Sequence, residues 1–142
     1  MYTQSDKLLV GSVMLSLDRV PVVKEAMLFK QALEEMDRKY MGICCIVDDK
    51  NNLLGVITDG DVRRRLLKIQ KPLSALFVDD AIEHAVRTPI SVGSKDTLES
   101  AVELMGQRKV WDLPVVDGRL LLGLLHLHPA IQELMGQGFN GS

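Results

Sequence analysis

The chain repeats itself, and the repeat narrows the folds that it can adopt. Residues 32–36 (ALEEM) match residues 101–105 (AVELM) at an offset of 69 positions. Further along, residues 53–57 (LLGVI) match residues 121–125 (LLGLL) at an offset of 68 positions. Self-similarity at a nearly fixed period indicates one structural unit that occurs twice.

The repeat divides the 142 residues into two halves. Lys71-Pro72 interrupts the pattern, so we predict a first unit over residues 8–70 and a second unit over residues 76–136. Residues 137–142 show no periodicity and are predicted to form a flexible tail. Because a unit of this size buries only a marginal core, we expect the two units to pack sheet to sheet around a pseudo-two-fold axis.

Each half has the same predicted order of elements, namely an extended segment, a helix, two strands and a second helix. In the first half Leu28, Ala32 and Met36 recur at four-residue steps, which is typical of an amphipathic helix. The strands are apolar runs joined by polar turns, and Asp117-Gly118 is a strong hairpin signal. The predicted fold class is therefore α+β, with two βαββα units.

Composition excludes several classes of protein. Hydrophobic residues make up 46 % and charged residues 25 % of the chain, which is typical of a globular domain. A net charge of −2 argues against a nucleic-acid-binding protein. No apolar run is long enough to span a membrane, and the N-terminus lacks a signal-peptide pattern, so we expect a cytoplasmic protein. The adjacent Cys44 and Cys45 are predicted to be unpaired core residues.

Residues 55–65 (GVITDGDVRRR) carry the sharpest chemical signal. An apolar strand ends at Thr58, which suits the N-cap of the helix that follows. The N-terminus of that helix and the Thr58 hydroxyl favour a phosphate, Asp61 can accept hydrogen bonds from a ribose, and Arg64 suits phosphate binding. The alternative is a well-capped surface helix with solvated arginines.

The pattern formed by Gly55, Thr58 and Asp61, inside a unit that recurs, resembles the tandem cystathionine-β-synthase-type (CBS) domain pair, or Bateman module. Residues 58–64 (TDGDVRR) and 121–128 (LLGLLHLH) also resemble the CBS region of arabinose-5-phosphate isomerases. Similar first units are joined to sugar nucleotidyltransferases. Neither catalytic domain lies in these residues, so the resemblance implies a regulatory module and not an enzyme.

The resemblance implies a ligand in the cleft between the units and no resident cofactor. The ligand would be AMP, ADP or ATP, or a nucleotide-sugar such as a CMP-linked sugar acid. Thr58 and Asp61 would hold phosphate and ribose, and Asp61→Ala would weaken binding with little change in melting temperature. The implied partners are a second copy of the chain and a sugar isomerase or nucleotidyltransferase. The positions that match the family's base-binding backbone are Pro21, Val22, Ile43, Cys44, Ile90, Ser91, Leu113 and Pro114.

The second unit departs from this pattern. His126 stands at the Thr position and Pro129 at the Asp position, so no carboxylate is available for a ribose there. His126 and His128 are interpreted as polar lining of a ligand cleft. Two alternatives stay open, a metal site completed by Asp112 or His84, and a histidine pair that closes a strand end. We expect one adenosine site per chain, and at the histidine end a weaker ligand that binds better at about pH 6 than at about pH 8.

Trp111 and His84 lie outside the motifs described above. We expect Trp111 to lie in the core or at a dimer interface. The less favoured alternative is a stacking platform for a base. His84 is expected at the surface of a helix. The competing functions are a dimerisation scaffold whose clefts bind nothing and a metal-dependent hydrolase that uses the histidines.

Overall fold

The computed structural model describes the backbone of residues 7–140 and the side chains of residues 7–136. The described chain forms two compact units, of which the first contains residues 17–89 and 119–121. The second unit contains the remaining residues, including helix α1 (Val10–Val13) and strand β1 (Leu15–Ser16). The start of the first predicted repeat therefore folds with the second repeat.

The first unit is a three-stranded sheet with helices packed on it. Its sheet has the order β2-β3-β4, in which β2 is parallel to β3 and β3 is antiparallel to β4. A 3-10 turn follows its last helix. The elements are β2 (Val22–Lys24), α2 (Phe29–Lys39), β3 (Ile43–Val47), β4 (Leu53–Thr58), α3 (Asp59–Lys68), α4 (Leu73–Phe77) and the 3-10 turn Ala81–His84.

The core of the first unit lies between α2 and the central strand. All five residues of β3 are buried, and α2 buries Phe29, Ala32 and Met36, which share one face of the helix. The helix ends at Lys39, and its C-cap residue Tyr40 adopts the left-handed conformation with φ 54°. Helix α4 was not predicted from the sequence, and it contributes the buried Leu76 to this core.

The second unit repeats this plan with one more strand. Its sheet has the order β1-β7-β6-β5, with β1 antiparallel to β7 and β5 parallel to β6. Gly118 has φ +61° in the turn between β6 and β7, as the Asp-Gly signal predicts. Its further elements are β5 (Val92–Gly93), α5 (Leu98–Arg108), β6 (Asp112–Asp117), β7 (Leu120–His126) and α6 (Leu127–Asn140).

The two units show the same close approach of backbones at a glycine. A Cβ added at Gly55 in β4 would lie 2.7 Å from the carbonyl oxygen of Val86. Its repeat equivalent Gly123 in β7 lies against the carbonyl oxygen of Leu15 in the same way. In each unit a segment from the other sequence repeat adds to the edge of the sheet, and its close approach requires a residue without a side chain.

Several predictions can now be compared with the structure. The α+β class, the order of elements and the burial of Cys44 and Cys45, which form no disulfide among the described residues, are confirmed. Helix α6 continues through Asn140, so residues 137–140 are helical, and Gly141 and Ser142 lie outside the described residues. The sheet-to-sheet packing stays a prediction. Among residues 7–140, no helix has the length and apolar character that crossing a membrane requires.

Candidate functional site

The junction of β4 and α3 is held by a reciprocal pair of hydrogen bonds. Thr58 is extended (φ −113°, ψ 164°), and its Oγ1 accepts a hydrogen bond from the backbone nitrogen of Asp61 at 3.2 Å. Asp61 Oδ2 in turn accepts from the backbone nitrogen of Thr58 at 3.0 Å and from its hydroxyl at 2.9 Å. This is a capping box, and the prediction that Thr58 is an N-cap is confirmed.

Asp61 is the chemically distinctive group of this junction. Its second carboxylate oxygen, Oδ1, accepts from Arg64 Nη2 at 2.8 Å. Burial raises the pKa of Asp61, but the hydrogen bonds from Arg64 and Thr58 together outweigh it and leave the pKa below its usual value. Asp61 is therefore an ionised acceptor at neutral pH. A carboxylate has roughly four acceptor positions, and three of those of Asp61 are in use. Two of the three are on Oδ2, so a further donor has to share Oδ1 with Arg64.

The predicted backbone contacts of the first unit belong to strand β3 and to the segment that pairs with it. Ile43 is the register partner of Thr58, so the structure brings the start of β3 next to the end of β4. The carbonyl oxygen of Pro21 accepts from the backbone nitrogen of Cys45 at 2.9 Å. Cys44 is fully buried, and burial raises the pKa of its thiol to about 12. The side chain of Cys44 therefore belongs to the core.

The corresponding junction of the second unit is built on a histidine. His126 ends β7, and its Nδ1 donates to Asp112 Oδ1 at 2.7 Å. Burial raises the pKa of Asp112 above its usual value, although the hydrogen bond from His126 lowers it. Pro129 follows in the first turn of α6, where its missing N–H costs no helix hydrogen bond. This junction therefore pairs a histidine with a carboxylate, His126 with Asp112. The first unit instead pairs a threonine with a carboxylate, Thr58 with Asp61.

The remaining predicted residues of the second unit differ in exposure. Leu113 and Pro114 in β6 are buried, Ile90 is half-buried, and Ser91 is exposed. His128 lies in the first turn of α6 and is also exposed. The backbone around this junction nevertheless repeats that of the first unit. The nitrogen of Leu127 donates to the carbonyl oxygen of Trp111 at 2.9 Å, as the nitrogen of Asp59 donates to that of Gly42 at 3.0 Å.

Two predictions about aromatic side chains are corrected. His84 is 5 % exposed instead of lying at the surface, because the 3-10 turn Ala81–His84 packs it against Phe29 with ring centroids 4.5 Å apart. Trp111 is 71 % exposed, so its placement in the core is wrong, and its placement at a dimer interface stays a prediction. Helical periodicity misplaced His84 because a 3-10 turn does not follow a 3.6-residue period.

The metal hypothesis gains no support at the histidine end. Among the described side chains, the group close enough together to hold a metal ion is Asp79, Glu83 and His84, whose ligand atoms all lie within 4.8 Å of one another. Neither His126 nor His128 belongs to this group.

Comparison with known proteins explains the repeat. The sequence profile of the CBS domain matches residues 10–68 and residues 78–128. The chain belongs to the CBS domain family. The resemblance to a tandem CBS pair is thereby confirmed.

Relatives of the CBS pair occur in longer bacterial proteins. Arabinose 5-phosphate isomerase KdsD of Escherichia coli K12 is 34 % identical over 125 residues, which are 87 % of this chain and 36 % of KdsD. An uncharacterised protein of Helicobacter pylori J99 is 37 % identical over 122 residues, which are 84 % of this chain and 35 % of that protein. The chain thus spans about a third of the length of the curated relatives it matches.

A CBS pair with a bound nucleotide has a similar structure. The crystal structure of CBSX2 in complex with AMP matches with a TM-score of 0.79 and 26 % identity, covering 92 % of this chain and 98 % of CBSX2. CBSX2 is a CBS-pair protein of Arabidopsis thaliana.

The two CBS domains of this chain therefore carry different side chains at equivalent positions of the repeat. In the first CBS domain the structure brings Ile43, Thr58, Asp61 and Arg64 together at the start of α3. In the second CBS domain the corresponding position joins His126 to Asp112. The pairing of Asp112 with His126 was left open by the sequence, because the two residues lie fourteen positions apart.

Proposed function

We propose that this CBS pair is a regulatory module that binds an adenine nucleotide, with the ribose and phosphate at Thr58 and Asp61. The observation that carries the proposal is the Asp61 carboxylate, which Thr58 fixes at the start of α3 and which is ionised at neutral pH. The similarity to CBSX2, which was crystallised with AMP, supports an adenine nucleotide as the ligand.

The ribose binds by exchange with Arg64. Asp61 already accepts three hydrogen bonds, so two ribose hydroxyls can be accommodated only if Arg64 releases Oδ1. The Arg64 side chain is 55 % exposed, and a pair of that kind contributes at most about 1 kcal/mol, or about fivefold in affinity. The released guanidinium then becomes free to bind the phosphate of the same nucleotide.

The phosphate and the base of the proposed nucleotide contact backbone groups as well as side chains. The ten-residue helix α3 directs its N-terminus at the junction, and this end of a helix favours an anion. The Thr58 hydroxyl adds a donor when it turns away from Asp61. The adenine lies against the backbone of residues 21–22 and 43–44, where the side chains of Pro21, Ile43 and Cys44 are buried and that of Val22 is half-buried.

The second CBS domain binds a different ligand or binds more weakly. His126 has its Nδ1 committed to Asp112, which leaves Nε2 as the ring nitrogen that can meet a ligand. An imidazole N–H at this position can donate to a phosphate or to a sugar acid. The backbone of Ile90, Ser91, Leu113 and Pro114 would line this second position.

The regulatory role is a shift between two conformations of the pair. A ligand favours one conformation by no more than the difference between its affinities for the two. Because the chain is similar to KdsD, we propose that the regulated enzyme is a sugar-phosphate isomerase or a domain of one. We further propose that the chain is a homodimer and that it has no catalytic activity of its own.

Calorimetric titration of the purified chain tests the proposal. AMP, ADP and ATP are titrated in parallel with CMP and a CMP-linked sugar acid, and one adenine nucleotide is expected to bind at one site per chain. At 100 times its dissociation constant the ligand should also add about 2.7 kcal/mol to the free energy of unfolding. If none of the five compounds binds, the dimerisation scaffold becomes the better account of the chain.

A further inference from the structure

An acidic groove lies on the first unit, where α2 ends and α3 begins. Its volume is about 490 Å³, within the roughly 300–1,000 Å³ of pockets that enclose a drug-sized molecule. The groove is therefore large enough for an aromatic side chain. It is lined by four apolar side chains and two carboxylates, namely Leu33, Met36, Tyr40, Met41, Asp37 and Asp59.

The charge of the acidic groove is not neutralised by its neighbours. Among the described side chains, neither of its two carboxylates forms an ion pair. The two cations that follow Asp37 along the chain have other partners. Arg38 pairs with Glu35, and Lys39 Nζ donates to the carbonyl oxygen of Val20 at 3.1 Å. The groove therefore offers both apolar contact area and uncompensated negative charge.

The repeat places different residues at the equivalent position of the second unit. The nitrogen of Asp59 donates to the carbonyl oxygen of Gly42, and the nitrogen of Leu127 donates in the same way to that of Trp111. In the first unit the glycine leaves room for the carboxylate, because a Cβ at Gly42 would lie 2.7 Å from Asp59 Oδ2. In the second unit this glycine and carboxylate are replaced by two large apolar side chains.

The other polar positions of the groove change in the same direction. At the repeat offset of 69, Asp37 corresponds to Gly106, and Tyr40 corresponds to Lys109. Tyr40 and Lys109 are both left-handed C-cap residues, with φ 54° and φ 56°. The second unit thus lacks both carboxylates of the groove and gains a cation.

Three exposed side chains form a basic aromatic surface at this place in the second unit, namely Arg108, Lys109 and Trp111. Neither cation forms an ion pair with another described side chain. Tryptophan and arginine are enriched where proteins contact one another, and an indole ring contributes a large apolar area. The basic aromatic surface therefore has the chemistry that the acidic groove requires of an occupant.

We propose that the acidic groove of one copy binds the basic aromatic surface of a second copy, so that the first unit of each chain contacts the second unit of its partner. A two-fold axis makes this contact twice in each dimer. Pairing of like surfaces would instead place carboxylate against carboxylate and cation against cation, which is unfavourable. The inference rests on the homodimer of the proposed function, but it does not depend on nucleotide binding.

The exposed leucines of α3, Leu66 and Leu67, are the competing surface for a second copy. The same part of the helix carries four cations, namely Arg63, Arg64, Arg65 and Lys68. Two copies of this face would therefore bring like charges together. The acidic groove and the basic aromatic surface carry opposite charges, so the electrostatics favour their contact.

Sedimentation equilibrium of the full chain measures the dissociation constant of the dimer. Trp111→Ala should weaken dimerisation at least about thirtyfold, as expected for a central aromatic side chain. Asp37→Asn should weaken it at least about fivefold, because one charge of the groove is lost. The matched controls are Leu67→Ala on α3 and Glu34→Gln, an exposed carboxylate of α2 that does not line the groove, and each should change the dissociation constant less than about twofold.

Cross-linking identifies which surfaces meet. Unmodified ¹⁴N and ¹⁵N chains are mixed and treated with a carbodiimide, which joins a carboxylate to a lysine amine in contact with it. We expect a cross-linked peptide that contains both isotopes and joins Lys109 to Asp37 or Asp59. Contact between like surfaces would not give this link, since it would bring no carboxylate of the groove to Lys109.

The proposal is overturned if the chain is a monomer, if it forms oligomers larger than a dimer, or if the mixed-isotope link is absent. It is also overturned if Leu67→Ala weakens the dimer as much as Trp111→Ala does. Trp111 and Asp37 are both exposed, so either variant keeps the test valid if the other destabilises the fold. A dimer without the link would leave the homodimer standing and refute this interface, and AMP binding to a monomer would leave the nucleotide proposal standing.

Discussion

Asp61 caps helix α3 and is also the proposed ribose ligand, and a pair of substitutions can separate the capping from the binding. Asp61→Ala removes the acceptor for the Thr58 N–H and hydroxyl and for Arg64. Loss of a helix cap costs about 0.5–2 kcal/mol, and the half-exposed Arg64 pair adds at most about 1 kcal/mol. We therefore expect the free energy of unfolding of the ligand-free chain to fall by about 1–2 kcal/mol. The capping box thus replaces the sequence-based expectation of little change in melting temperature.

Asp61→Asn keeps a side-chain oxygen that can accept from the Thr58 N–H but removes the charge. We expect it to cost less than about 1 kcal/mol of stability. Its effect on nucleotide binding should still be large, because a hydrogen bond to a charged group contributes about 1.5–3 kcal/mol, or roughly 10- to 150-fold in affinity. The alanine variant should therefore be the less stable of the two, while both bind AMP poorly.

The pH dependence of stability gives a further check on Asp61. Its pKa is lower in the folded chain than the value of about 3.9 typical of an unfolded one. The stability that it contributes is present above the unfolded pKa and is lost as the pH falls through the folded pKa. Asp61→Asn should therefore lose less stability than the unmodified chain between about pH 5 and about pH 2.

Urea unfolding from pH 2 to pH 7 and AMP calorimetry at pH 7 are the assays. Asp49→Asn is the control, since it removes an exposed carboxylate in the turn between β3 and β4. If Asp61→Asn binds AMP as tightly as the unmodified chain, Asp61 is a capping residue alone and the ribose assignment is wrong.

Three further predictions follow from contacts elsewhere in the chain. Gly55→Ala should destabilise the fold by about 1–3 kcal/mol in urea unfolding, because its Cβ would meet the Val86 oxygen at 2.7 Å; Gly106→Ala, which meets nothing within 4 Å, is the control and should not destabilise. Cys44 should resist alkylation at pH 8 in the folded chain, as measured by mass spectrometry, because burial raises its pKa to about 12 and excludes the reagent; rapid modification would show that β3 opens locally. Burial raises the pKa of Asp112, so the stability linked to its protonated form is present below the unfolded pKa and is lost as the pH rises through the folded one. The stability of Asp112→Asn relative to the unmodified chain should therefore increase from about pH 3 to pH 7, and a decrease would contradict this.

Short-range features were determined by the sequence itself. The Thr58–Asp61 capping box joins residues three positions apart, and the Asp117-Gly118 hairpin is a property of two neighbouring residues. Such features depend on local backbone geometry, which residue type and spacing already specify. The repeat in turn predicted the order of elements, because similar apolar patterns bury similar faces.

Long-range partners were decided by the tertiary structure. His84 is buried because Phe29, 55 positions earlier, packs against its ring, and His126 is paired because Asp112 lies at the start of the neighbouring strand. The pairing of Val86 with Val56 likewise depends on which segment reaches the open edge of β4. None of these contacts follows from local periodicity, since burial and pairing depend on which faces of distant elements meet when the core forms.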